Sequence, residues 1–238
     1  YDTNGAGYKW VHGDDKHSKT NLYKNITFRN NTFYDSPRGS LLLGTNQHLN
    51  WQSNVQWNIT LENNTFVNFS TRSKSRYILN LQRVPGGSTI KMRNNLFVQT
   101  KKEGDTRNMY LSGMDVRYYM GSGEITYDIK DNYSTNTHLT NNQIFSQNAF
   151  NATSNAAGAR PNDCIWGRDE LVVKLGNQGI SPTDLMVDPN PPNPQGHKDM
   201  HLVNNLDGLY YKNTDQVRNH EIFKKGIGDP RWRKNVTP

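Results

Sequence analysis

One eight-residue phrase occurs three times in the first hundred residues, and it constrains the fold more than any other feature of the chain. It reads Ile26-x-Phe28-x-Asn30-Asn31-x-Phe33, then Ile59-x-Leu61-x-Asn63-Asn64-x-Phe66, then Ile90-x-Met92-x-Asn94-Asn95-x-Phe97, with starts 33 and 31 residues apart. A unit this short cannot bury its own apolar face, so it must stack on its neighbours. Alternation with period 2, built from β-branched and aromatic residues, makes the stacked elements strands rather than helices.

Laid on a strand, Ile26 and Phe28, Ile59 and Leu61, and Ile90 and Met92 point inward, while Thr27, Thr60 and Lys91 point outward. The asparagine pair makes a bend, because Asn tolerates the left-handed backbone and its amide can bond the nearby main chain. On successive turns those amides would bond one another. Phe33, Phe66 and Phe97 would return to the core as one internal stack. A third strand per turn is expected at Ser40 to Leu43, Tyr77 to Leu81 and Asn108 to Leu111. Three parallel strands per turn, joined by crossovers of the usual hand, give an all-β fold, a right-handed parallel β-helix or solenoid, over residues 20 to 135.

Past residue 135 the phrase decays. Ile129-x-Asp131-Asn132-Tyr133 reads as a fourth turn with its aromatic moved one place, and Gln147-Asn148-x-Phe150 as the echo of a fifth. Asn151 to Asp163 is small and polar and reads as a loop, and Glu170 to Lys174 as a strand. Ser181-Pro182-Thr183-Asp184 has the form of a helix start, with Ser as cap and Pro in the first turn. One elongated domain is expected, with coils over 1–150 and an irregular last coil and closing cap over 151–238. A hydrophobic fraction of 33% and a mean hydropathy of −0.91 fit a thin internal column better than a thick globular core. Since the first recognisable turn begins within about thirty residues of Tyr1, further coils are expected to precede it.

The single cysteine, Cys164, excludes an intrachain disulfide and a cysteine-based zinc cluster. No stretch is apolar and long enough to cross a bilayer as a helix. A net charge of +7 and a pI near 9.4 favour an anionic partner. Placement of that charge is more informative. The loops leading to the third strands carry Arg38, then Arg72, Lys74 and Arg76, then Lys101, Lys102 and Arg107, with only Asp35, Glu103 and Asp105 as acidic company. Stacking would set these loops side by side as a positive groove wall. Asn80, Gln82 and Tyr110 on the neighbouring strands would supply the amide and hydroxyl groups a sugar chain needs. The competing reading is that the cations only keep the solenoid soluble.

The turns Ile59-Thr60-Leu61-Glu62-Asn63-Asn64-Thr65-Phe66 and Lys91-Met92-Arg93-Asn94-Asn95-Leu96-Phe97 resemble the pectate-lyase-like right-handed β-helix superfamily. The asparagine pair falls where that superfamily keeps its asparagine ladder. The ending Gly226-Ile227-Gly228-Asp229-Pro230-Arg231-Trp232 is similar to the close of bacterial surface β-helix proteins commonly labelled pectate lyases. The resemblance implies an extracellular or cell-surface protein handling acidic polysaccharide. It also implies, for lyases, an Arg or Lys base and a calcium ion that neutralises the uronate carboxylate. Arg76, Arg83 and Arg107 would be the candidates for that base. The third strands, however, carry no carboxylate cluster to hold calcium, Asp105 and Asp115 being isolated.

His197-x-x-x-His201 has zinc-ligand spacing, but Lys198 follows the first histidine, and Pro194 and Gly196 oppose a helix there. No metal site is expected. Asp14-Asp15 with His12 and His17 reads as an exposed turn. The sequons at Asn25, Asn30, Asn58, Asn63 and Asn68 are attributed to the asparagine ladder rather than to glycans. The expectation is therefore a glycan-binding module, a monomer or part of a longer chain or surface complex, with an acidic polysaccharide as partner. A lyase acting by β-elimination and an adhesive solenoid without glycan specificity are the alternatives. No nucleic-acid motif accompanies the charge.

Overall fold

The computed structural model describes residues 8–11, 25–34, 41–44, 57–68, 79–82, 88–98, 126–135, 172–191, 206–234 and 236. Their strands form three sheets in which hydrogen-bonded neighbours run parallel. One sheet joins β1 (Tyr8–Val11), β4 (Leu41–Gly44) and β7 (Leu79–Gln82) in that order. A second joins β2 (Asn25–Arg29), β5 (Asn58–Glu62), β8 (Thr89–Arg93) and β10 (Thr126–Lys130). The third joins β3 (Thr32–Tyr34), β6 (Thr65–Val67), β9 (Leu96–Val98), β11 (Asn132–Ser134) and β12 (Val172–Lys174). The chain is thus all-β in class, with a few short helices near its end.

The repeat sets the register. Ile26, Ile59 and Ile90 pair across β2, β5 and β8, and Phe28, Leu61 and Met92 form the next inward row. Ile59, Leu61 and Ile90 are wholly buried, each gaining about 1.5–3 kcal/mol from removal of its side chain from water. Phe33 and Phe66 stack at 4.7 Å between ring centroids, and Phe66 and Phe97 at 5.0 Å. That is the internal column the phrase implies.

The two asparagines of each pair divide the labour of the bend. The first takes the left-handed backbone: Asn30, Asn63, Asn94 and, in the fourth repeat, Asp131 have φ of 57°, 53°, 55° and 53°. The second builds the ladder. Asn31 donates from N and Nδ2 to Asn64 Oδ1, Asn64 to Asn95 Oδ1, and Asn95 to Asn132 Oδ1, at 2.9–3.3 Å. The other Nδ2 proton reaches back to the preceding repeat, from Asn64 to Phe28 O, Asn95 to Leu61 O and Asn132 to Met92 O. Buried main-chain groups at the corner are thereby satisfied. The ladder does not explain the sequons. Its members are the second asparagines, whereas the sequon residues Asn25, Asn30 and Asn58 are exposed.

The fourth repeat is present as β10 and β11, but its aromatic is not a displaced member of the internal stack. Register pairs Tyr133 with Leu96 and Ser134 with Phe97, so Ser134 takes the inner place. Tyr133 lies on the outer side of the sheet, buried under the C-terminal segments. The expected strand near residues 170–174 is β12, in fifth place in the same sheet. The expected helix is α1 (Pro182–Leu185), with a complete capping box between Ser181 and Asp184. The third strand expected at Asn108 to Leu111, the echo at Gln147 to Phe150, the loop at Asn151 to Asp163 and Cys164 lie outside the described residues.

The C-terminal segments lie along the flank of the five-stranded sheet. Helices α1, α2 (Asp215–Asn219) and α3 (Glu221–Lys224), three 3-10 turns and the segments joining them set Leu175, Ile180, Leu185, Leu209, Tyr211 and Ile227 against Val67, Leu96, Val98 and Tyr133. Strands β6 and β9 are consequently buried on both faces, so Val67, Leu96 and Val98 serve a second core while Phe66 and Phe97 serve the first.

Candidate functional site

Of the residues expected to meet a glycan, the structure places Asn80 and Gln82. Both are on β7, paired in parallel with Leu42 and Gly44 of β4. Arg38, Arg72, Lys74, Arg76, Arg83, Lys101, Lys102, Arg107 and Tyr110 lie outside the described residues. The pairing of Leu41 with Leu79 nevertheless fixes one correspondence in the sequence: Arg38 and Arg76 each stand three residues before a member of that pair. The His197/His201 and Asp14/Asp15 groups also lie outside the described residues.

The outer face of the β2-β5-β8-β10 sheet holds charge that the spacing of the repeat passes over. Its outward rows are Asn25, Asn58, Thr89 and Thr126, then Thr27, Thr60, Lys91 and Asp128, then Arg29, Glu62, Arg93 and Lys130. Arg29 and Lys91 converge on Glu62, at 2.8 and 3.2 Å. Arg93 closes on Asp128 through Nε at 2.8 Å. Burial pushes the Glu62 carboxyl up, but hydrogen bonds from Lys91 and Arg29 outweigh it and hold the group below the usual carboxylate range. These residues were open to sequence reasoning as the "x" positions of the phrase, where outward side chains must fall.

A buried carboxylate anchors the chain's end. Asp229 is fully enclosed and accepts from Thr32 Oγ1 at 2.7 Å and from the Arg231 main-chain N at 3.0 Å, while the Arg231 guanidinium closes on both its oxygens. Its own N–H donates to Thr65 Oγ1, and Trp232 Nε1 donates to Thr32 Oγ1. The Asp229 hydrogen bonds raise the Arg231 pKa above its ordinary value. Each Asp229 oxygen is occupied by partners within the chain, so the group is a fastening rather than a reactive acid or base.

Two further titratable groups sit at the flank. Burial raises the Tyr133 hydroxyl pKa while the neighbouring Lys225 ammonium opposes the shift; the phenol therefore stays protonated at neutral pH and is no base. His220 accepts from Ile222 N through Nδ1 at 3.1 Å and meets Gln178 Oε1 through Nε2 at 2.7 Å. Burial lowers its pKa. Among the described residues no group of three His, Cys, Asp or Glu side chains could hold a metal ion, and no helix is long and apolar enough to cross a membrane. Comparison with family models, curated proteins and solved structures found nothing that matches the chain.

Proposed function

We propose that this chain is a right-handed parallel β-helix of an extracellular or cell-surface protein, and that it binds acidic, uronate-containing polysaccharide through the basic loops beside the β1-β4-β7 sheet. The observation that carries the reading is the in-register pairing of β4 with β7, together with the fact that Arg38 and Arg76 each stand, in sequence, three residues ahead of the paired Leu41 and Leu79. Parallel strands from successive repeats bring the residues that precede them toward one end of the sheet, so charge at the places preceding β4 and β7 would be summed, the corresponding place before β1 being Gly5. A line of cations favours a polymer with one carboxylate per sugar, whose condensed counterions are released on binding. Asn80 and Gln82, on the strand between Arg76 and Arg83, are amide residues suited to sugar hydroxyls.

Binding of polygalacturonate measured by calorimetry tests the reading. Affinity is expected to fall steeply with added salt, and to fall about tenfold or more when Arg72, Lys74 and Arg76 are all replaced by Ala, as three screened charge contacts permit. Equal binding of a neutral glucan, or an unchanged affinity in the triple variant, would overturn it. Appearance of unsaturated products with calcium present would identify the lyase alternative.

A further inference from the structure

The geometry points to a second contact line for the same class of ligand, on the outer face of the β2-β5-β8-β10 sheet. The inference rests on the acidic glycan as partner, yet it concerns a surface separate from the loops. No described element covers this face, in contrast to the five-stranded sheet, whose outer side is buried by the C-terminal segments.

Its chemistry selects the occupant. The three outward rows hold twelve residues, all of them Asn, Thr or charged, with Arg29, Lys91, Arg93 and Lys130 set against Glu62 and Asp128. Both carboxylates are taken up by cations within the sheet, so the excess charge is positive. It lies in two places: at Lys130, in register with Arg93 and without an ion pair among the described residues, and around Glu62, whose single carboxylate is shared by Arg29 and Lys91. Neighbouring strands are about 4.8 Å apart, so one anionic chain crossing the sheet could reach both places.

A wholly polar, charge-bearing face is poorly suited to the core of a protein interface, which excludes charge and gathers aromatic residues. It also offers no aromatic residue at its outward positions on which a nucleic-acid base could stack. What it does offer is a regular set of amides and hydroxyls beside the cations. Asn25 and Asn58 are exposed and hydrogen-bonded to each other at 2.9 Å, and the Thr hydroxyls continue their row. An extended, hydrated sugar acid uses both kinds of group, the carboxylates for the cations and the ring hydroxyls for the amides.

The test compares three proteins by calorimetry with polygalacturonate at low and moderate salt: Lys91→Gln with Lys130→Gln, the loop variant lacking Arg72, Lys74 and Arg76, and Glu62→Gln. The Lys pair is expected to lower affinity about three- to tenfold, the scale of two exposed charge contacts, and to flatten the salt dependence. Glu62→Gln, which frees Arg29 and Lys91, should tighten binding. Unchanged affinity in both face variants overturns this inference while leaving the loop reading intact if the loop variant binds weakly. Loss in the Lys91/Lys130 variant with none in the loop variant keeps the face and removes the loops. Weaker binding by Glu62→Gln in a protein whose melting temperature is unchanged also counts against the face.

Discussion

The asparagine pair shows how two identical residues acquire different energetic roles. Asn95 is buried and serves Asn64 N, Asn64 Nδ2, Leu61 O and Asn132 Oδ1 at once. Asn95→Ala strands those partners away from water and should cost about 2–4 kcal/mol in urea denaturation. Its neighbour Asn94 is retained for a φ of 55°; Asn94→Ala should cost about 1–2 kcal/mol and Asn94→Gly almost nothing. A larger loss at position 94 than at 95 would contradict this division. His220 is read in the same way. Its Nδ1 must stay unprotonated to cap Ile222 N, and Nε2 then donates to Gln178; around it stand Glu221, which favours protonation, and Lys224, which opposes it. With the folded-state pKa lowered below its ordinary 6.5, the unfolded chain takes up the proton first. The stabilisation is thus complete above pH 6.5 and lost as pH falls below it. His220→Asn, which keeps a capping acceptor but does not titrate, should flatten the melting temperature across that range; an unchanged pH profile would dismiss the cap as its cause.

At the scale of elements, the last residues fasten the five-stranded sheet from outside. Gly228 has a φ of +77°, and a Cβ there would lie 2.7 Å from Thr65 Oγ1 and 3.1 Å from Leu96 Cβ. Gly228→Ala combines backbone strain with a clash against buried atoms, so it should destabilise by more than about 2 kcal/mol. Thr32→Val removes the acceptor of Trp232 Nε1 and a donor to Asp229, with an expected loss of about 1–3 kcal/mol. A Thr32→Val protein as stable as the original in thermal unfolding would show that the fastening contributes little. These elements also show what could be read from residues alone. Period-2 alternation fixed β2, β5 and β8 and the Phe stack, since those features depend on neighbours within one repeat. The fate of Tyr133 could not be read, because its outward place depends on apolar residues about forty to ninety positions later, among them Leu175 and Ile222. The roles of Thr32, Thr65 and Asp229 were hidden for the same reason: each contact spans more than 160 residues.

For the whole molecule, parallel stacking turns a local sequence phrase into long straight rows. Inward rows make the column, asparagines make the corner, and outward rows carry a surface of fixed chemical pattern. Under the proposed reading, function belongs to what varies between repeats, namely the basic residues ahead of the third strands and the unequal charges on the outer face. In that reading, parallel stacking lets cations far apart in sequence act together, and the net charge of +7 favours an anionic partner. What is proposed for the loops and for the outer face alike depends on carboxylate recognition. It is tested most directly by comparing polygalacturonate with its fully methyl-esterified form, which keeps the sugar backbone and removes the charge. Binding of the acid form with strong salt dependence and loss of most affinity for the ester are expected; equal affinity for the two polymers would rule carboxylate recognition out.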